Sequence, residues 1–160
     1  LTHAHLDHVM GVTWISDKYG VYPRLHPTDE TTWIQAPISA NLYGIHMDEL
    51  PSRGEDLGDH GSIVECGPYK LEVRCAPGHS AGHVIFVAHN ESFVVGGDVL
   101  FSGSIGRTDL PGGNPDILAK SIEDQIYTLP DNFTVHPGHG PSTTVGKEKM
   151  SNPYVNGAGT

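Results

Sequence analysis

Cysteine is scarce in this sequence, in which Cys66 and Cys75 are the only two among 160 residues. Two cysteines are too few for the disulfide framework that stabilises small secreted domains. Residues 67–70 (Gly-Pro-Tyr-Lys) predict a hairpin turn, which puts Cys66 beside the turn and Cys75 well along the second strand, so that the two would not face each other. A reducing, cytoplasmic setting is therefore the default expectation.

Basic residues and long apolar runs are also lacking. Nine Lys and Arg residues stand against 19 Asp and Glu residues, for a formal net charge of -10. Without a basic cluster to follow a phosphate backbone, we expect no nucleic-acid partner, and an anionic membrane surface is disfavoured for the same reason. No apolar run approaches the ~20 residues of a membrane span, and no signal-peptide pattern is present.

A strand that should precede the first motif is missing. The chain begins with Leu1 rather than Met, inside a stretch that is typical of a strand end. We therefore expect this sequence to be an N-terminally truncated part of a longer protein, whose missing segment holds strands of the sheet. The 160 residues fit one domain with a sizeable core.

Hydrophobic periodicity predicts helices early in the chain and mainly strands after Gly61. The early part predicts a helix over 9–19 that ends near Gly20 and a short strand over 21–26. Another helix should begin at 27–30 and be broken by Pro37, and a second helix is predicted over 39–47. The later part predicts strands over 63–66, 70–75, 83–88, 92–95 and 134–136, an amphipathic helix over 116–129 with Pro115 in its first turn, and a short helix over 145–150. Strands flanked by helices indicate a layered α/β sandwich.

Histidine, in contrast, is abundant and clustered. The stretch from Thr2 to His8 reads Thr-His-Ala-His-Leu-Asp-His, with three imidazoles and a carboxylate within six residues. Because each buried polar group needs a partner, metal binding is the simplest explanation for this density. In an extended run His3, His5 and Asp7 would point to one side and His8 to the other, an arrangement that can serve two neighbouring metal ions.

The remaining candidate ligands follow later strands. His79 lies in a Pro-Gly turn after one strand, Asp98 follows a strand through two glycines, and His139 lies in another Pro-Gly turn. His83 could also be a ligand, but a hydrogen-bonded structural histidine is the preferred interpretation. Asp98 has an alternative interpretation as a helix or turn cap. We assign His3, His5 and His79 to one ion and Asp7, His8 and His139 to the other, with Asp98 and a water or hydroxide bridging the two.

These motifs resemble those of a known family. Thr2 to His8 is similar to the HxHxDH signature of the metallo-β-lactamase superfamily, and the later ligand candidates fall in its order. Strings at 97–101, 103–113 and 137–146 resemble the glyoxalase II (hydroxyacylglutathione hydrolase) branch, in particular its short bacterial form. The resemblance covers essentially the whole chain and implies a four-layer αββα sandwich over 1–160 as a single domain, with a dinuclear site at one sheet edge. Ser80-Ala81 departs from the more common Thr-Pro, which should alter the rigidity of the turn more than its ligand.

The resemblance implies hydrolysis of a small-molecule thioester such as S-lactoylglutathione, by attack of a hydroxide that bridges two zinc ions, with iron or manganese as alternative metals. In that scheme Asp7 orients the nucleophile while it serves as a ligand, and Asp98 bridges the ions. Because the sequence stops at Thr160, we expect it to lack the C-terminal helical domain with which long glyoxalase II proteins bind glutathione. Arg107 and Lys147 are the tentative substrate-binding residues, although solvated surface charges are an equal interpretation for Lys147, and Arg107 could instead pair with Asp109. The oligomeric state is open.

Two alternatives remain. Persulfide dioxygenases share the scaffold and hold one iron, and a non-catalytic metal-stabilised binding module would need no chemistry at all. The complete set of seven ligands favours two metals and argues against a module that has lost its site. The acidic composition and the glyoxalase-like strings make nuclease and β-lactamase activities less expected.

The Asp98→Ala variant should lose activity, because the bridge between the two ions disappears with the carboxylate. Replacement of His83 should leave the metal content nearly unchanged, since this residue is not assigned as a ligand. Metal analysis and an activity assay of both variants test these assignments. Near-wild-type activity of Asp98→Ala would contradict the two-metal assignment, and metal loss on replacing His83 would show that the wrong histidine was chosen.

Overall fold

A computed structural model describes residues 1–156 of the chain. Two compact units are distinguished, one formed by Leu1 and His3–Leu57 and the other by Thr2 and the residues from Gly58 onward. Within the described residues, none of the helices combines the length and the hydropathy needed to cross a membrane. The single-domain expectation for 1–160 remains a prediction.

The first unit is helical. Its elements are α1 (Leu6–Val9), α2 (Val12–Tyr19), a 3₁₀-helix (Pro27–Asp29) and α3 (Glu30–Leu42). Helix α2 ends at Gly20 as predicted, because this glycine adopts a left-handed φ of 65° and donates its N–H to the Ser16 carbonyl. The buried side chains of Ala4, Val9, Leu25, Trp33 and Ala36 form the core of the unit.

Two predictions for the first unit are wrong. The segment over 21–26 is not a strand. Two of its carbonyls accept backbone hydrogen bonds, that of Pro23 from the Gly54 N–H and that of Leu25 from the Leu57 N–H. Pro23 has no N–H to contribute to a longer ladder. Pro37 does not interrupt its helix either, since α3 runs through it to Leu42, and the second helix predicted over 39–47 is absent.

The second unit is built on a sheet, with these strands in chain order: β1 (Ile63–Cys66), β2 (Tyr69–Cys75), β3 (Val84–Ala88), β4 (Phe93–Gly97), β5 (Leu100–Phe101), β6 (Ser104–Ile105), β7 (Thr134–Pro137) and β8 (Thr143–Thr144). Six of them form one sheet in the order β1-β2-β3-β4-β7-β8, and β5 and β6 form a separate two-stranded hairpin. All neighbours in the large sheet are antiparallel except β4 and β7, which are parallel. The mixed α/β class is therefore confirmed.

Strand pairing confirms that the two cysteines do not face each other. Cys66 pairs with Tyr69 across the β1–β2 turn, whereas Cys75 pairs with Val84 on β3. The five predicted strands are present. Strand β1 has the predicted bounds, and the other four differ by one or two residues at one or both ends. The two-residue strands β5, β6 and β8 escaped prediction because a run of two residues has no measurable periodicity.

The helices of the second unit are α4 (Pro115–Ser121), a π-helical segment (Ile122–Ile126) and α5 (Val145–Ser151). Asn114 caps α4 by accepting from the N–H groups of Asp116 and Ile117, with Pro115 in the first turn as predicted. The predicted helix over 116–129 changes to π-helical geometry at Ile122. One buried cluster joins strand and helix side chains, among them Ile85, Val87, Val94, Leu118, Ile122 and Ile126.

The Leu118→Ala variant should lower the free energy of unfolding by about 2–5 kcal/mol, because it leaves a cavity in this cluster. Leu118 has no exposed surface, whereas its neighbour Ile117 is 47% exposed. Denaturant unfolding of both alanine variants provides the test, and Ile117→Ala should change stability by only about 0.5 kcal/mol. Equal losses would mean that the burial of Leu118 does not determine its contribution.

Candidate metal centre

The first unit carries four of the seven predicted ligands on the chain that enters α1. His5 is extended, with φ of -63° and ψ of 154°, and the helix begins at Leu6, so Asp7 and His8 lie in its first turn. The alternation of ligands predicted an extended run through Asp7, but the chain is already helical from Leu6. The ring centroid of His3 nevertheless lies 4.8 Å from that of His5 and 4.1 Å from that of His8. His8 Nε2 is 3.5 Å from Asp7 Oδ2.

A buried carboxylate holds this stretch in place. Asp29 Oδ2 accepts a 2.7 Å hydrogen bond from the backbone N–H of Ala4, which lies between the first two histidines. Asp29 is completely buried, so this bond is shielded from water and strong. Nothing in the local sequence indicates that Asp29 reaches residue 4, so this contact was not predicted.

The second unit carries the other three predicted ligands, each just after a strand. His79 follows β2, Asp98 follows β4 and His139 follows β7. Gly138 donates its N–H to the Gly97 carbonyl at 2.8 Å, which ties the loop of His139 to the end of the strand that bears Asp98. Asp98 Oδ2 lies 3.7 Å from His79 Nε2 and 3.4 Å from His139 Nε2.

These distances fit two ligand atoms on one ion. Nitrogen and oxygen ligands about 2.1 Å from a tetrahedral cation are about 3.4 Å from each other. Asp98 Oδ2 has about this spacing from the Nε2 atoms of both histidines. Its separation from His79 Nε2 is too long for an ordinary hydrogen bond. Imidazole and carboxylate suit zinc, iron and manganese, so the donor set fits a divalent transition metal.

Two further groups, the Arg107 carbonyl and the His83 imidazole, form hydrogen bonds with these candidate ligands. His79 Nδ1 is 2.8 Å from the Arg107 carbonyl, to which it must donate, so its Nε2 is the nitrogen that carries the lone pair. Asp98 donates its backbone N–H to His83 Nε2 at 3.0 Å. His83 thus makes a hydrogen bond to the backbone of a candidate ligand, in keeping with its structural interpretation.

Glycines make the close approaches at this site possible. A Cβ at Gly97, whose φ is 48°, would lie 2.7 Å from the His83 ring, and a Cβ at Gly106 would lie 1.9 Å from the Asp98 carbonyl oxygen. Gly78 precedes His79 with a φ of 124°, and a Cβ there would meet the backbone nitrogen of Leu118 at 2.3 Å. These turns therefore require glycine.

The tentative substrate residues make local contacts. Arg107 binds Asp109 through two hydrogen bonds of 2.7 Å, as its structural interpretation expected, and both side chains are exposed. Lys147 Nζ donates to Ser102 Oγ at 2.8 Å. The side-chain hydrogen bonds from Arg107 lower the pKa of Asp109 from 3.8 to about 2.

Within the first unit, Asp7 and His8 border an apolar groove. Its other lining residues are Leu1, Gly11, Val12, Trp14, Ile15, Ser16, Val21, Tyr22 and Pro23. Trp14 and Tyr22 are both more than half exposed. None of these lining residues is Lys or Arg, so the groove offers apolar contacts rather than cationic partners.

The family model described as the metallo-beta-lactamase superfamily matches residues 1–139, which include all seven predicted ligands. The chain belongs to the metallo-beta-lactamase superfamily. This confirms the resemblance drawn from the motifs.

Members of the superfamily resemble this chain over nearly all of its length. The probable metallo-hydrolase YqgX of Bacillus subtilis is 38% identical over 98% of this chain and 74% of its own length. The hydroxyacylglutathione hydrolase GloC of Haemophilus influenzae is 36% identical over 98% of this chain and 74% of its own. The crystal structure of TTHA1623 in a di-iron-bound form is 38% identical, with a TM-score of 0.87 over 97% of this chain and 75% of that one.

The Arg107→Gln variant should raise the pKa of Asp109 from about 2 toward 3.8, because the guanidinium that stabilises the carboxylate is gone. The ion pair is complete above pH 3.8 and is lost as the pH falls through about 2. Carboxyl NMR titration measures the shift. Lys120→Gln is the control, and it should leave the pKa of Asp109 unchanged because Lys120 pairs with Asp124. An unchanged pKa of Asp109 in Arg107→Gln would show that Arg107 is not the group that lowers it.

Proposed function

We propose that this chain is a metal-dependent hydrolase of the glyoxalase II type, which cleaves a thioester at a dinuclear site. The observation that carries the proposal is the position of the Asp98 carboxylate, whose Oδ2 faces the Nε2 atoms of both His79 and His139. The family match over residues 1–139 and the di-iron form of the similar TTHA1623 structure support two ions.

The proposed ligands form two sets. His3, His5 and His79 make one, and Asp7, His8 and His139 make the other, with Asp98 shared between them. The two carboxylates offset half of the +4 charge of two divalent cations, and the five imidazoles are neutral donors. This set without Cys ligands suits zinc, iron or manganese alike.

Two divalent cations in this site would polarise the thioester carbonyl and lower the pKa of a water molecule enough to supply a nucleophile at neutral pH. The protein's contribution is orientation. His79 Nδ1 donates its proton to the Arg107 carbonyl, which leaves Nε2 available to bind a metal. His83 Nε2 accepts from the backbone N–H of Asp98 and so holds that backbone in place. A thiolate is a good leaving group, so the reaction needs no dedicated general acid.

The proposed substrate is S-lactoylglutathione or a related small thioester. The similarity to GloC, which is named a hydroxyacylglutathione hydrolase, supports this choice. Arg107 already has Asp109 as a partner, which partly neutralises it. Lys147 Nζ donates to the Ser102 hydroxyl and lies 3.9 Å from Glu148 Oε1, a longer separation than the 2.7 Å between Arg107 and Asp109. The half-exposed Lys147 is therefore less neutralised than Arg107 and retains more capacity to attract a substrate carboxylate.

A second candidate function is that of a mononuclear iron persulfide dioxygenase. The similar TTHA1623 structure supports iron as a candidate metal, but it holds two irons and so does not support a mononuclear site. The presence of seven candidate ligands favours the dinuclear hydrolase, since a mononuclear site needs fewer.

Metal analysis combined with a thioester assay tests the proposal. The purified protein should contain two divalent cations per chain and hydrolyse S-lactoylglutathione, and prolonged chelation should remove both the metal and the activity. A protein with one iron per chain that consumes oxygen in the presence of glutathione persulfide would contradict the hydrolase and support the dioxygenase. Metal without either activity would instead favour a binding module.

A further inference from the structure

The segment over 98–107, which includes the β5–β6 hairpin, touches all three predicted ligands of the second unit, and we call it the ligand hairpin. Asp98 is its first residue. The Phe101 ring packs edge-on against the His139 ring, with 6.2 Å between centroids. The carbonyl of Arg107, its last residue, accepts from His79 Nδ1. A displacement of this hairpin would therefore move one ligand and the supports of two others.

The hairpin has few bonds of its own. Leu100 pairs with Ile105 and Phe101 with Ser104, and the N–H of Gly106 reaches the Val99 carbonyl at 3.3 Å. A two-stranded hairpin of this length is marginally stable by itself. Its position must therefore depend on contacts to other elements of the unit.

Helix α5 supplies such contacts at the hairpin turn. Glu148 Oε2 accepts a 2.9 Å hydrogen bond from the backbone N–H of Gly103. Asn152 Nδ2 donates to the Ser104 carbonyl at 3.1 Å, and Lys147 Nζ donates to Ser102 Oγ. Three consecutive residues of the turn are thus bonded to side chains on or just after one helix.

Glu148 is the central member of this set. It is completely buried, and its carboxylate also accepts from the Thr143 hydroxyl and from Asn152 Nδ2. A buried carboxylate is costly unless its oxygens are bonded, and bonds to an ionised acceptor are about twice as strong as neutral ones. A carboxylate here can accept from Gly103, Thr143 and Asn152 at the same time. In a glutamine, an NH₂ group replaces one of the two carboxylate oxygens. It would face at least one of these three donors, and no hydrogen bond could form there.

We propose that Glu148 is a positioning residue for the metal site, which it stabilises by holding the turn of the ligand hairpin. This inference rests on the proposed function, because it concerns the ligands of that site. Glu148 is not one of the seven proposed ligands, so it would act on the site only through the hairpin backbone. Its loss should loosen Asp98 and the supports of His79 and His139 together.

The Glu148→Gln variant should bind metal about tenfold more weakly than the wild type, the scale on which loss of an outer hydrogen bond affects metal sites. Competition with a chromophoric chelator measures zinc affinity directly, without an activity assay. The Gly103 amide should also lose the downfield proton shift of a charge-assisted bond in the NMR spectrum.

Tyr127→Phe is the matched control for lost stability. It removes a buried 2.7 Å hydrogen bond to the Val155 carbonyl in the same unit and none of the three side-chain hydrogen bonds to the hairpin turn. Its unfolding midpoint should fall while its zinc affinity stays within twofold of the wild type. If Glu148→Gln shows the same pattern, Glu148 is a structural residue only and the proposal is overturned.

Thr143→Val provides a second, milder variant if Glu148→Gln does not fold. It removes one donor to Glu148 and should weaken zinc binding in the same direction by a smaller factor; an unchanged affinity would overturn the proposal in that case. Failure of the wild type to bind zinc, iron or manganese would refute the proposed function itself. Metal binding by the wild type together with unaltered binding by the variants would refute the role of Glu148 alone.

Discussion

The Asp98 carboxylate, held between two imidazole nitrogens, is the constraint on which the second unit depends. Three loops must end close together, and each is fixed in a different way. Gly97 lets the chain turn at the end of β4, Gly138 bonds back to that same strand end, and His79 donates to the Arg107 carbonyl. A sheet that places β4 between β3 and β7 is what makes these three contacts compatible.

The four-residue group of the first unit is organised differently. Its candidate ligands are almost consecutive in sequence, so little chain entropy is needed to gather them. What they require is a fixed change from extended chain to helix between His5 and Leu6. Asp29 contributes to that change from a distance by binding the N–H of Ala4. The two units thus gather their ligands by different means, local chain geometry in one and strand ends in the other.

The sequence alone was sufficient for the features that depend on local pattern. The β1 to β4 strands, the α4 start at Pro115 and the clustering of histidines all have periodicity or composition as their signal. Contacts between distant residues were not predictable. Nothing near Asp29 shows that it binds Ala4, and nothing near Glu148 shows that it binds Gly103. Helix α3 continues through Pro37 for a related reason, because burial of Trp33, Ala36 and Ala40 overrides the local preference.

The three candidate ligands of the second unit lie on loops that are 19 and 41 residues apart in sequence. A cation held by them would act as a crosslink, since it would close large loops that the unfolded chain leaves open. Metal affinity and folding would then be linked, and the concentration of available metal would set the apparent stability of the sheet edge. The same carboxylate and imidazoles would thereby couple the integrity of this edge to the supply of metal in the surroundings of the protein.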